Sequence, residues 1–538
     1  MRKPLAIDKA AGRRRGGPRS RQTRAMDAAV ARGLEEVTPA RAGMALAAVV
    51  AAFALRFIAT EVVVTLRCRH IPSPGGRVPV LGHALTLLKG NVWDTFTNYA
   101  TQYGAIYRMH VLGRVYVVLS DPRHIKHVLS TNLKNYRKDR GSYEVFDCLL
   151  GTGIVTSEGA RWHRLRRELA PTFKLEILED VARAAEEVTK RLCRVLDQAC
   201  ESGEVIDIAE SFRKLTLQVI ALAVLGCTPE ESDSEISDLY MPIIDECNDR
   251  IWYPHRIYLP TPAWWTHNRL VRSLNAYLEN KVRSRWATLL RRREEAGTDA
   301  RPNDILDRIL GNVDPADFRK TGVRDLRDGL KTFLFAGHDT TSCMLTWTMW
   351  ELMQNPKVMD AAVRESTEFF KEGDAVPDFE VVQSCLPYLF NCLRETLRLH
   401  SPVPVVTREV VDADVIDGVA VPPGAVVTIC MDAVHKRADL WPEGDTAVFR
   451  PTRFGVAETT SPQTGLGPGV DPWAYLPFIN GPRNCLGQHF SLLEARIIMG
   501  LLIKRYHFTP ADGQTDVAHP YKIPITPING MRVKVARR

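Results

Sequence analysis

None of the eleven cysteines stands in a CxxC pair, their number is odd, and they are scattered from Cys68 to Cys485. That spread argues against a disulfide framework and against a zinc ribbon, so most of them are expected to be small buried hydrophobes. A GxGxxG unit opening a helix is missing as well, and no stretch of the chain repeats internally, which leaves no dinucleotide-binding module within it. Acidic residues are scarce in the first 42 positions, where eleven Arg or Lys face four acids. The net charge of +8 therefore sits mostly in that tail and the rest is close to neutral. A nucleic-acid binder would carry its basic excess on a folded face, so no nucleic-acid partner is expected. Serine is almost absent from the same tail, so residues 1–42 fit an organelle transit peptide only in part and are read as a basic disordered or targeting tail.

What is present begins with an apolar run, GMALAAVVAAFALRFIATEVVVTL at 43–66, long enough for a bilayer at about 20 residues per span. Arg56 and Glu61 interrupt it, and a charge in mid-span costs about 2.5–3.5 kcal/mol. It is read as a spanning or interfacial membrane anchor. The following Pro- and Gly-rich stretch, 67–83, cannot continue a helix and reads as a stiff linker. Residues 84–538 are long enough for one large core. Apolar spacing of three and four predicts helices within 160–200, 205–226, 325–354 and 378–399, with β-like runs at 115–120 and 419–429. The Gly-, Pro- and Ser/Thr-rich stretch 455–472 predicts a surface loop.

That loop leads into PFINGPRNCLGQHFSLLEARIIMG at 477–500, where a Gly- and Pro-bearing turn delivers Cys485 just before a helical pattern. Free N–H groups at a helix N-terminus stabilise a thiolate, and Arg483 adds positive charge nearby. A soft thiolate is a fitting axial ligand for haem iron. Gly481 and Gly487 would let the backbone pass close to a flat macrocycle, and Phe478 could cover the sulfur. A Cys in a Gly-rich turn would by itself be an ordinary buried cap. The full string FxxGxRxCxG, filled by Phe478, Gly481, Arg483, Cys485 and Gly487, resembles the haem-binding signature of the cytochrome P450 family, in its eukaryotic membrane-associated form.

Three distant segments agree, in the same chain order. In KTFLFAGHDTTSCMLTWTMWEL (331–352) a helix carries Gly337, Asp339, Thr340 and Thr341 in its middle, against local propensity. The resemblance explains it as the distal helix opening over the haem beside Ala336 and Gly337, with Asp339 and Thr340 as catalytic residues that deliver protons during oxygen activation. Glu395 and Arg398 stand three apart on a helix and can pair; with Arg453 of FRPTRF they resemble the family's structural Glu–Arg–Arg triad. Trp162 and Arg166 lie one helical turn apart, a spacing that resembles the family's propionate-binding WxxxR helix, and Arg408 sits where many members place another propionate-binding Arg.

The resemblance covers about residues 70–538 and implies a mainly α fold with small β-sheets, a triangular helical prism with the haem between the distal helix and the cysteine-loop helix. It implies haem b with Cys485 as iron ligand, and a monooxygenase that inserts one atom of O2 into an apolar small molecule: a fatty acid, sterol, terpenoid or carotenoid. The wall of the pocket is expected from 141–157, Phe333, Ala336, Pro402 to Val406 and Ile525. Ala336 stands where many eukaryotic fatty-acid hydroxylases carry a Glu able to bond to haem. Electrons would come from a separate protein, an NADPH–cytochrome P450 reductase if the anchor lies in the endoplasmic reticulum, or a ferredoxin in a plastid or mitochondrion. Two other readings are a haem-thiolate isomerase or dehydratase of peroxides, which would not need the Asp339–Thr340 pair, and a haem sensor without turnover.

Overall fold

The computed structural model describes residues 39–538 apart from 80, 174, 297–303, 314, 371–385, 443, 456–465, 468–469 and 521. Most of the expected tail (1–42) and most of the expected loop (455–472) lie outside the described residues. The chain divides into two units, Met1–Val63 and Val64–Arg538. Helix α1 (Pro39–Arg67) covers the expected anchor. Its Met44, Leu55, Ile58 and Val62 are exposed. Among the described residues no helix is long and apolar enough to cross a membrane.

In the second unit, β1 (Ile106–Val111) and β2 (Arg114–Leu119) form an antiparallel hairpin. Leu112 and Gly113 at its turn both have positive φ, the hand that suits the twist of paired strands. The hairpin joins β3 (Tyr136–Lys138), β4 (Val405–Val410) and β5 (Val426–Cys430) in one sheet ordered β1-β2-β5-β4-β3, where β2–β5 is the parallel pair. The sequence-predicted runs at 115–120 and 419–429 fall on β2, on Val419–Val421 and on β5. A second small sheet pairs Tyr506–Pro510 and Ile206–Asp207 with Arg532–Arg537.

The helices that build the core are α2 (Gly159–Leu169), α3 (Leu175–Ser202), α4 (Ile208–Leu225), α5 (Asp238–Trp252), α6 (Pro262–Ala296), α7 (Pro315–Gln354), α8 (Pro387–Leu399) and α9 (Gln488–Arg505). The single run expected at 160–200 is two helices, because Pro171 lies in the turn Ala170–Phe173 and cannot continue the hydrogen-bond ladder. α4 starts where Asp207 Oδ1 accepts from the N–H of Ala209 at 3.0 Å, a cap worth about 1 kcal/mol, and ends at Gly226 in the left-handed region. Its apolar residues are buried nearly all round, the pattern of a core helix. With α7 and α9 it forms the main apolar cluster, which includes Phe212, Val219, Trp347 and Ile498. α7 is interrupted at Gly322, whose φ of 71° is not helical. The architecture is mainly α with small sheets, as expected.

Candidate active site

Three of the four motifs line one interior cavity of about 320 Å³, with α7 on one side and the loop before α9 on the other; the Glu395–Arg398–Arg453 group lies outside its lining. The loop is fixed by its own backbone. Cys485 N–H donates to Phe478 O at 2.9 Å, and Asn484 N–H to Gly481 O at 3.1 Å. Gly481 has φ 86°, and a Cβ there would stand 2.5 Å from the carbonyl oxygen of Leu129, so no other residue fits. Gly487 differs, since a Cβ would only touch the Cys485 sulfur at 4.0 Å. Its contribution is its N–H, which donates to that sulfur.

Of the ten described cysteines, most are buried as the sequence predicts, and Cys485 is the exposed one. Its sulfur opens into the cavity and is otherwise enclosed by protein. Burial pushes the thiol above its usual range, and the Gly487 N–H and the Arg166 charge pull it back in part. The cation acting on the sulfur is thus Arg166, not the Arg483 that sequence proximity suggested. Arg483 turns to Glu158 and the Ser157 carbonyl, and its guanidinium lies 4.0 Å over the Trp162 ring.

Arg166 gives both terminal nitrogens to Asn484, 2.7 Å to its carbonyl and 2.5 Å to its side-chain oxygen. The WxxxR helix therefore clamps the cysteine loop. Arg408, expected at the cofactor, is buried and does not itself line the cavity; its Nη1 donates to Thr407 O at 2.7 Å, while its Nη2 has no hydrogen-bond partner among the described residues. Strand register sets Lys138 directly opposite Arg408. Like charges facing across strands destabilise a sheet, and an unpaired buried guanidinium nitrogen is costly. The strain is visible in the acid–base behaviour. Burial, with Arg408 and Arg483 near by, lowers Lys138 to about 8, and burial lowers Arg483 to about 10. Burial alone would raise the Tyr143 phenol, but Lys138 and Arg408 outweigh it and pull it down.

These features meet the needs of the implied group. A thiol on the cavity floor can take a thiophilic metal, and metal binding removes the proton that burial holds on the sulfur. Lys138, Arg408 and the spare Arg408 nitrogen call for carboxylates at the edge. Haem, flat and apolar with two carboxylates, fits that donor set.

On the opposite side Phe333, Ala336, Gly337 and Thr340 line the cavity. Thr340 Oγ1 donates to the Ala336 carbonyl at 2.7 Å, a bond that occupies an oxygen of the α7 backbone at the cavity. Gly337 stays helical; a Cβ there would stand 2.7 Å from Ile220 Cδ1 on α4. Close packing of α4 on α7 thus leaves little room for a side chain at this position without a shift of Ile220. Asp339 is buried on the other face of α7, pairs with Arg213 Nε at 3.2 Å, and does not line the cavity. Arg213 in turn reaches Asp245 at 3.0 Å, whose side chain is 51% exposed. A charged chain thus runs from behind Thr340 to the surface.

The expected triad is assembled and wholly buried. Arg398 grips Glu395 through two bonds of 2.8 Å, Arg453 Nε adds a third at 3.2 Å, and the Arg450 N–H donates at 3.0 Å. Arg398 also donates to His435 O, and Arg453 to Asp445 O, so the triad ties α8 to the two segments leading toward the cysteine loop. Of the expected wall residues, Ile154, Val155, Phe333, Ala336, Pro402 and Val403 line the cavity. Ile525 does not. It borders a separate surface recess of about 800 Å³, and its carbonyl accepts from Trp347 Nε1 at 2.7 Å. Sequence reasoning missed Lys138 and Asn484, and gave Tyr143 only as part of the stretch 141–157. Only strand register and loop geometry, which no local pattern reveals, bring them to the site.

The family model described as Cytochrome P450 matches residues 72–531. The chain is similar to cytochrome P450 4c21 of Blattella germanica, 27% identical over 86% of this chain and 92% of that protein. It is also similar to LUTEIN DEFICIENT 5, chloroplastic, of Arabidopsis thaliana, 28% identical over 81% of this chain and 72% of the relative. The crystal structure of the cytochrome P450DA heme domain superposes with a TM-score of 0.72, 24% identity, and coverage of 87% and 98% of the two chains.

Proposed function

Since the chain belongs to the cytochrome P450 family and is a haem monooxygenase, we propose that it inserts oxygen into an apolar small molecule of the fatty-acid, sterol, terpenoid or carotenoid kind. One observation supports this most: the cavity facing Cys485 is walled by Ile154, Val155, Phe173, Ile220, Phe333 and Phe335, with Thr340 as a polar group on the α7 side. Haem b, when bound, supplies dioxygen activation and transfer of one oxygen atom. Cys485 Sγ would be its ligand, Arg408 and Lys138 would hold its carboxylates beside Trp162 and Arg166, and Phe478 and Leu486 would shield the sulfur from water. The apolar walls orient substrate and exclude water. Thr340 Oγ1 is the group that positions a proton at the cavity, and Asp339, held by the Arg213 guanidinium, is the acid next to it on α7.

Reducing equivalents come from a separate reductase, an NADPH–cytochrome P450 reductase or a ferredoxin. The exposed Met44, Leu55, Ile58 and Val62 of α1 favour attachment to a membrane, that of the endoplasmic reticulum before that of a plastid or mitochondrion. The test is the carbon monoxide spectrum of the reduced protein. Thiolate ligation gives a red-shifted Soret band that Cys485→Ser abolishes; its persistence in the variant overturns the assignment. Mass-spectrometric screening against a lipid and terpenoid library, with a reductase present, then identifies the substrate as the compound that gains one oxygen.

A further inference from the structure

Away from the haem region, α5, α6 and the short helix Asp147–Leu150 bring three soft or borderline donors together in the interior. Cys148, Cys247 and His267 each offer one ligand atom, and these atoms all lie within 4.8 Å of one another. The two sulfurs are 3.4 Å apart. Cys247 and His267 are 0% and 2% exposed. Both ring nitrogens of His267 lack a hydrogen-bond partner among the described residues, a state that costs about 1–3 kcal/mol for a buried polar group.

Two occupants could answer this geometry, a disulfide or a metal ion. A disulfide would join the sulfurs and leave the His267 imidazole as unsatisfied as before. A metal ion engages all three donors. In a tetrahedral zinc site with Zn–S near 2.3 Å the sulfurs stand about 3.8 Å apart, a few tenths of an ångström from the observed spacing. Arg250 lies near the two sulfurs as a positive charge that a thiolate ligand would meet. Arg250 is itself held by Glu246 at 3.0 Å.

We propose that Cys148, Cys247 and His267 form a structural site for a borderline-soft divalent cation of the zinc type, with a fourth position open to water. The ion ties Asp147–Leu150 to α5 and α6. The segment so anchored is held from the other side by Lys331 Nζ of α7, which donates to Cys148 O at 2.8 Å, and it leads directly to Ile154 and Val155 on the cavity wall. Loading would therefore stiffen that wall.

The test uses the full-length haem-loaded protein, purified under reductant, incubated with zinc alone and dialysed. The expected result is about one equivalent of zinc per chain, retained by Cys200→Ala and lost in Cys247→Ser and His267→Gln variants that keep their haem. Zinc-edge X-ray absorption, to which the iron does not contribute, should show two sulfur neighbours at about 2.3 Å. Should the variants misfold, wild type alone decides: alkylation of Cys148, read by peptide mass spectrometry, is slow with zinc and accelerates on chelation. Zinc that is far below stoichiometric, zinc indifferent to both variants, alkylation indifferent to chelator, or a Cys148–Cys247 cross-linked peptide in the purified protein would each overturn the site.

Discussion

Replacing Glu395 by Gln keeps the side chain's volume and removes one negative charge from a place where water cannot compensate. Glu395, Arg398 and Arg453 are 0%, 0% and 3% exposed, and the carboxylate accepts from both guanidiniums and from the Arg450 N–H. The variant leaves two buried cations facing a neutral amide. Breaking a buried ion pair from one side costs about 3–5 kcal/mol, against a total stability of about 5–15 kcal/mol. At about 2.1 cal/mol/K per residue, the unfolding entropy of a body the length of Val64–Arg538 is about 1 kcal/mol/K, so Tm should fall by about 3–5 °C. The loss should extend to haem retention, because the triad braces the segments that lead to the cysteine loop. Circular dichroism melting and the carbon monoxide spectrum read the two effects. Arg183→Gln, which breaks only the exposed pair with Asp180, should shift Tm by less than about 1 °C. A Glu395→Gln protein that melts within 1 °C of wild type and keeps its thiolate spectrum would refute the reasoning.

Thr340→Ala should lower product formation about 10- to 100-fold while reductant is still consumed and hydrogen peroxide is released; unchanged coupling of electrons to product would remove Thr340 from the proton path. Gly481→Ala, forced against the Leu129 carbonyl at a positive φ, should abolish haem incorporation in soluble protein, whereas Gly487→Ala should retain most of it, as measured by haem content per chain. Lys138 has its pKa depressed from 10.5 to about 8, so the unfolded chain binds more protons than the folded one between those values and the stability of haem-free protein should rise with pH across that window. Lys138→Met should flatten this rise in urea titrations at stepped pH; an identical slope in the variant would show that Lys138 is not the group responsible.

Much of the site was legible because its chemistry is compressed into short strings. The loop around Cys485, the WxxxR turn and the Glu395–Arg398 spacing each place their residues within one or two turns, and the structure brings all of them to one region. The α7 motif was legible for an instructive reason, since glycine and paired threonines contradict helix propensity and a violated local rule marks a constrained place. What escaped was whatever depends on distant partners. The stripe Leu274, Leu278, Val282 and Trp286 buries α6, but the dense Arg and Glu residues around it dilute its period. Lys138 opposite Arg408 follows from the pairing of β3 with β4 across more than 260 positions. Gly337 was noticed as an anomaly of its own helix, but its close neighbour Ile220 lies on another helix, where no local pattern reveals it.

That last contact ties the shape of the cavity to a missing side chain. A Cβ at Gly337 would stand 2.7 Å from Ile220 Cδ1, so any larger residue there would displace the Ile220 side chain, and with it a piece of the wall that both residues lend to the cavity.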